Sequence, residues 1–273
     1  MADSEKRKMP ENPSSQSHKR RKGGNKWQKG QVQTPRSTIE SGDWGVFVTC
    51  EMGREKKCAT EVMDLFTQYT ERPDNGGDQA GSDSDQDEID IEAQIRREIE
   101  GLQPSTTKSS LFETVKFDLP CIIFVRFDKS IDPEKLVHEI CLDAQANPEK
   151  KNSRYIQRLT PARSIRKTLS VDIEAFAREI LKPHFHSGGP SKKYAIRPSV
   201  RGNKKFNRDF IIKTVADVVG PEHPVDLKNY DLIILVDIVQ NVVSMSVAGS
   251  DYDKLKRFNL AELYSPGPEQ QGP

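Results

Sequence analysis

Long apolar runs are missing from this 273-residue chain: the longest, CIIFV (121–125) and LIILV (232–236), are strand-sized. A membrane-spanning helix needs roughly twenty such residues, so no membrane span is expected. The opening MADSEKRKMPENPSS has no apolar stretch of the kind a secretory signal carries, which points to a soluble, intracellular protein. Cysteine is sparse as well. Cys50, Cys58, Cys121 and Cys141 lie too far apart for CxxC zinc spacing, and three sit in apolar patterns, so they read as reduced core thiols. Motifs of catalysis are absent too. No GxGxxG follows a strand, and neither GxxxxGK[ST] nor GxSxG occurs, leaving dinucleotide, P-loop and hydrolase readings unsupported. His138-Glu139 lacks the second histidine of HExxH, and His184 and His186 of HFH have no cysteine or carboxylate after them at zinc spacing, so no metal site is expected.

An excess of charge of one sign is missing only on average. The formal net charge is +1, from 42 Lys and Arg against 41 Asp and Glu. Residues 1–36 nevertheless hold ten bases and three acids, 74–92 eight acids and no base, and 150–213 seventeen bases and four acids. The last block also shows fold-like periodicity, and such a segregated basic region is the electrostatic footprint of a nucleic-acid binder.

Residues 1–42 are rich in Ser, Pro, Gly, Lys and Arg without periodicity and read as a disordered basic tail. Within it, His18, Lys19, Arg20, Arg21 and Lys22 read as a nuclear localisation signal. GVFVTC begins the first domain, 43–148, as a strand, and KKCATEVMDLFTQY continues it as a helix. An acidic, Gly-rich loop (72–88) and a short amphipathic helix, IDIEAQIRREIEGL, come next. ETVKFD and CIIFVRF then read as strands, and Asp132-Pro133 opens a helix. This β-α-β-β-α order implies an α+β sandwich of the ferredoxin-like kind.

A second domain is expected over 149–265, with a tail at 266–273. It starts with a basic segment and continues with a helix, VDIEAFAREILK, closed by Pro183, and a strand, KKYAIRPSV. RPSVRGNKKFNRDFII overlaps the end of that strand, and in it Asn207 is placed to cap a helix ended by Gly220-Pro221. DLIILVDI and VVSMSVA form a tight antiparallel hairpin. The loop of five Lys and Arg around Gly202 is either a phosphate grip or a solvated connection. Free N–H groups at a helix start favour the grip, and the commonness of exposed lysines favours the alternative.

Laid out in this way, the second domain resembles a THUMP domain, the RNA-binding module found beside a ferredoxin-like domain in several tRNA-modifying enzymes. RYIQRLTP (154–161), PHFH (183–186), VDLKNYDLIILVD (225–237) and YDKLKRFNLAELY (252–264) are similar to the fungal and plant branch of the THUMP-domain adaptor required for tRNA N4-acetylcytidine formation. The resemblance covers residues 42–265. It implies a non-catalytic protein without a cofactor or metal of its own, monomeric apart from its partner complex. Such an adaptor presents leucine and serine tRNAs, modified on a D-arm cytidine, to a separate RNA cytidine acetyltransferase that uses acetyl-CoA and ATP. A nuclear, and within the nucleus nucleolar, location is expected. With that context, Arg154, Arg158, Lys192, Lys193, Arg197, Arg201, Lys204, Lys205, Asn207 and Arg208 become the expected RNA contacts. Arg163, Arg166 and Lys167 are even-handed between contact and structure, and Tyr194 between stacking a terminal base and core packing. A general RNA-binding or ribosome-biogenesis factor, or an enzyme using His184 and His186, stays open as an alternative.

Overall fold

The computed structural model describes residues 38–71 and 111–265. The basic cluster at 18–22, the acidic loop, the helix expected over 91–102 and the tail from 266 lie outside them. Strand β1 (Gly45–Cys50) leads into helix α1 (Glu55–Glu71), then β2 (Phe112–Lys116), β3 (Ile122–Phe127), α2 (Pro133–Ala146) and β4 (Ile156–Ala162). These four strands form one sheet in the order β2-β3-β1-β4, with β1 antiparallel to both neighbours. Alternation sets its faces. Val46, Val48 and Cys50 join Val62, Phe66, Val137 and Ile140 in the core beneath the helices, while Phe47 and Phe124 face away. Gly45 is required where β1 meets β3: its φ is +155°, and an added Cβ would lie 2.0 Å from the Val125 carbonyl oxygen. Asp132 caps α2 as expected, its carboxylate accepting from the Glu134 and Lys135 amides.

The second sheet is built from β5 (Ser164–Lys167), β6 (Tyr194–Arg201), β7 (Leu232–Val239) and β8 (Val242–Gly249), in the order β5-β8-β7-β6. Helices α3 (Ile173–Phe185) and α4 (Arg208–Val219) cover one face, burying Phe176, Leu181, Ile211 and Val215 against Ile234, Val236 and Met245. The β7–β8 hairpin turns through Gln240 and Asn241, with Gln240 at φ +51°. The chain mixes helix and sheet in two layered units, as the α+β expectation requires.

Three details differ from the sequence reading. The boundary expected at 149 falls before the strand that completes the first sheet, since Ile156–Ala162 pairs with β1 across Leu159↔Val48. Helix α3 does not close at Pro183 but runs to Phe185 with the proline inside its last turn. Pro183 lacks the N–H that would reach back to Glu179, yet the His186 amide still bonds the Lys182 carbonyl and finishes the turn. Finally, residues 252–264 leave the second sheet and return to the first. Leu255, Phe258, Leu260, Leu263 and Tyr264 are buried in the core under α1 and α2, and Asn259 bridges to Arg158. The segment ends in helix α5 (Leu260–Leu263).

Candidate nucleic-acid interface

Strand β6 is the edge of its sheet and runs parallel to β7, pairing Arg197 with Leu235, Ser199 with Asp237 and Arg201 with Val239. Ile196 and Val200 pack toward the helices. Alternation therefore turns Arg197, Ser199 and Arg201 to the opposite face, where Arg158 of β4 arrives from the first sheet. Ser199, Arg201 and Arg158 face Asp237, while Arg197 turns to Tyr252. Loss of hydration pushes that carboxyl up to about 6, against the Ser199 hydroxyl, which donates to it, and the positive fields of Arg201 and Arg158. Arg158 Nε is buried and has no hydrogen-bond partner among the described residues. Arg197 lies 5.6 Å from the Tyr252 ring centroid, with Nη1 3.8 Å from Asp253 Oδ1. Burial, and then its bond to Asp253, raises the Tyr230 hydroxyl, which donates to Asp253 Oδ2 at 2.7 Å. Three expected contacts, Arg158, Arg197 and Arg201, are thus brought together, around carboxylates that the sequence reading missed.

A second group sits where β6 hands over to α4. Gly202, at φ +63°, makes the turn, and the Asn203 side chain organises the residues after it: its Oδ1 accepts from the Lys205 and Phe206 amides, and its Nδ2 donates to the Gln240 carbonyl. Asn207 then caps α4, accepting from the Phe210 amide at 2.7 Å. The loop is therefore a built turn. Lys204 and Arg208 are exposed on it. Lys205 is partly engaged, since its ammonium donates to the Thr168 carbonyl at 2.9 Å and stands 5.1 Å from the Phe206 ring centroid.

Lys192 and Lys193 precede the other end of β6, eight residues from Arg201 and hence roughly 25 Å away at strand rise. Lys192 Nζ donates to the His184 carbonyl, and Lys193 Nζ pairs with Asp226 at 3.3 Å. Arg154 is exposed on the approach to β4, its amide held by Glu61 and its guanidinium 5.6 Å from the Tyr155 centroid. Arg163, Arg166 and Lys167 hold structure. Arg163 pairs with Asp132 at 2.6 Å beside Trp44, Arg166 grips Glu179 with two bonds, and Lys167 donates to the Ile39 carbonyl. Tyr194 is buried edge-on against Phe185. His186 bonds the Val218 carbonyl, and the His184 ring is held below its usual pKa by burial and by Lys192. Among the described residues no three His, Cys, Asp or Glu side chains group as metal ligands.

The THUMP domain model matches residues 170–248, from just before α3 to β8. An uncharacterized protein of Schizosaccharomyces pombe is 34% identical over 233 residues, covering 84% of this chain and 78% of its own. THUMP domain-containing protein 1 of Mus musculus is 32% identical, covering 89% of this chain and 70% of its own. The chain belongs to the THUMP-domain family. The tRNA acetyltransferase TAN1 of Saccharomyces cerevisiae is 31% identical, covering 83% and 86%. Within the THUMP match lie β6, the basic loop, α4 and Asp237. Arg158 and the returning 252–264 segment lie outside it and reach the domain only through the fold.

Proposed function

We propose that this THUMP protein is a tRNA-binding adaptor, not an acetyltransferase. It presents leucine and serine tRNAs to a separate RNA cytidine acetyltransferase, which uses acetyl-CoA and ATP to form N4-acetylcytidine in the D-arm. The observation that carries the reading is the likeness to TAN1, named for tRNA acetylation, over most of both chains. The two basic groups on and beside β6 support it physically. Arginines and lysines set on a fixed turn and strand edge position a phosphate backbone without reading its sequence, as an adaptor must. Arg154, Lys192 and Lys193 extend the basic surface beyond them, and Asn207 holds the loop in shape. The cluster His18–Lys22, read as a nuclear localisation signal, supports a nuclear location for this adaptor.

Nucleoside mass spectrometry on individual tRNAs after deletion of the protein tests the reading. N4-acetylcytidine should vanish from leucine and serine tRNAs and persist in ribosomal RNA. Its retention in those tRNAs, or acetyl transfer to tRNA by the purified chain with acetyl-CoA and ATP, would overturn the adaptor role.

A further inference from the structure

Phe210 is 48% exposed, on a helix that turns Ile211, Val215 and Val218 inward. The ring is not loose. Its amide is tied to the Asn207 cap, and it lies on Phe206 with centroids 6.1 Å apart and planes 28° apart. Phe206 is itself anchored, packed against the core of the second sheet on one side and under the Lys205 ammonium on another. Among the described residues Phe206 is the one ring stacked on Phe210, and about half of Phe210 remains exposed beside that contact. Lys204, Lys205, Arg208 and Lys213 flank it in sequence, with Asp209 the one acid.

We propose that Phe210, supported by Phe206, is a platform on which one unpaired base of the bound RNA stacks. The inference rests on the tRNA-binding reading above and adds to it a contact made to a base rather than to phosphate. A flat aromatic face in a cationic setting matches a nucleotide on both counts, because the base supplies a π-face of any identity while its phosphates meet the lysines and arginines. The base must be unpaired, since one inside a duplex has both faces covered by its neighbours. The platform is therefore blind to sequence but sensitive to pairing. Tyr194, the aromatic that the sequence offered for this role, is buried and cannot serve.

The full chain, Phe210→Ala and Phe210→Trp are titrated with a single-stranded RNA carrying 2-aminopurine, with a blunt, fully paired RNA and with tRNA, at several salt concentrations. Phe210→Ala should weaken single-stranded binding by roughly tenfold to a hundredfold, the worth of one base on one ring. Its salt slope should be unchanged and blunt-duplex binding untouched. Phe210→Trp should retain affinity, with tryptophan fluorescence quenched on binding. If Phe210→Ala, folded by circular dichroism, binds all three RNAs as the parent does, the platform is refuted and the tRNA-binding reading stands. Equal loss on duplex and single strand would refute it as well. Should the parent chain bind no RNA, the tRNA-binding reading falls, and the platform with it.

Discussion

Replacing Asp237 by asparagine should stabilise the protein at neutral pH and leave it unchanged in acid. The carboxyl faces Arg158, Arg201, the Ser199 hydroxyl and Tyr252 in the join between β6, β7 and β4, and lost hydration lifts its pKa from 3.8 to about 6. A folded-state pKa raised above the unfolded one means that the folded chain prefers the protonated form. The contribution of Asp237 to stability is then highest below pH 4 and falls as pH climbs through 4 to 6. At 1.36 kcal/mol per unit, the shift of about two units costs about 3 kcal/mol once Asp237 is ionised. Asparagine mimics the protonated acid, keeps an acceptor for Ser199 and never ionises. For a described fold of this size, about 3 kcal/mol corresponds to a rise in Tm of roughly 6 to 12 °C. Thermal unfolding followed by circular dichroism should show Asp237→Asn above the parent by that amount at pH 7.5, with the two converging near pH 4. A difference that is flat across this range, or an asparagine variant less stable at pH 7.5, would show that the arginines stabilise the carboxylate by more than its burial costs.

Alanine at Lys204 and Arg208 should flatten the slope of log K for tRNA against log salt by about 0.7 to 0.9 each, with affinity falling alike for every tRNA. Alanine at Lys205, whose ammonium is held by the Thr168 carbonyl, should change that slope by less than half as much in the same titration. Gly45→Ala should destabilise by more than about 3 kcal/mol, read by urea unfolding, because the new methyl meets a backbone oxygen that has no rotamer to move to. Arg163→Ala should lower stability in the same assay by about 1 to 2 kcal/mol, through lost pairing with Asp132 and lost contact with Trp44, while the tRNA salt slope stays unchanged.

Elements written in local signals were legible in the sequence. The Asp132 cap, the Asn207 cap and the β7–β8 hairpin each depend on residues within a few positions of one another, and each appears where the pattern put it. Strand β4 was not legible, because Arg158 interrupts its apolar alternation and its partner Thr49 lies more than a hundred residues earlier. The basic half of the interface could be read from charge density, but its acidic half could not. Asp253 and the returning segment meet β6 only through tertiary packing. Asp237 did leave a trace, as a lone acid between Val236 and Ile238 in a strand otherwise built for burial, where an unpaired carboxylate would be costly. Tyr194 and Phe210 show the same limit: spacing marks both as aromatic, and only the fold decides which face meets water.

The grouping of Arg158 with Arg197 and Arg201 depends on how the first sheet is held against the second, since the residues come from edge strands of different sheets. The returning segment supplies that hold. Lys256, Arg257 and Phe258 occupy consecutive left-handed conformations at φ +50°, +59° and +59°, a geometry that costs roughly 1 to 2 kcal/mol per non-glycine residue. A surface loop free to relax would not keep three in a row. Here the reversal drives Phe258 edge-on against Tyr252, 4.9 Å between centroids, and sends Leu260 and Leu263 into the core beneath α1 and α2. Each large apolar side chain so buried contributes about 1.5 to 3 kcal/mol, enough together to offset the strained turn. Asn259 then bridges to Arg158 on the edge of β4, while Tyr252 and Asp253, seven and six residues earlier, meet Arg197 on β6. One strained turn thus fixes Arg158 beside Asp237 and Arg197 beside Asp253, so the spacing of these basic groups is set by packing remote from the charges themselves.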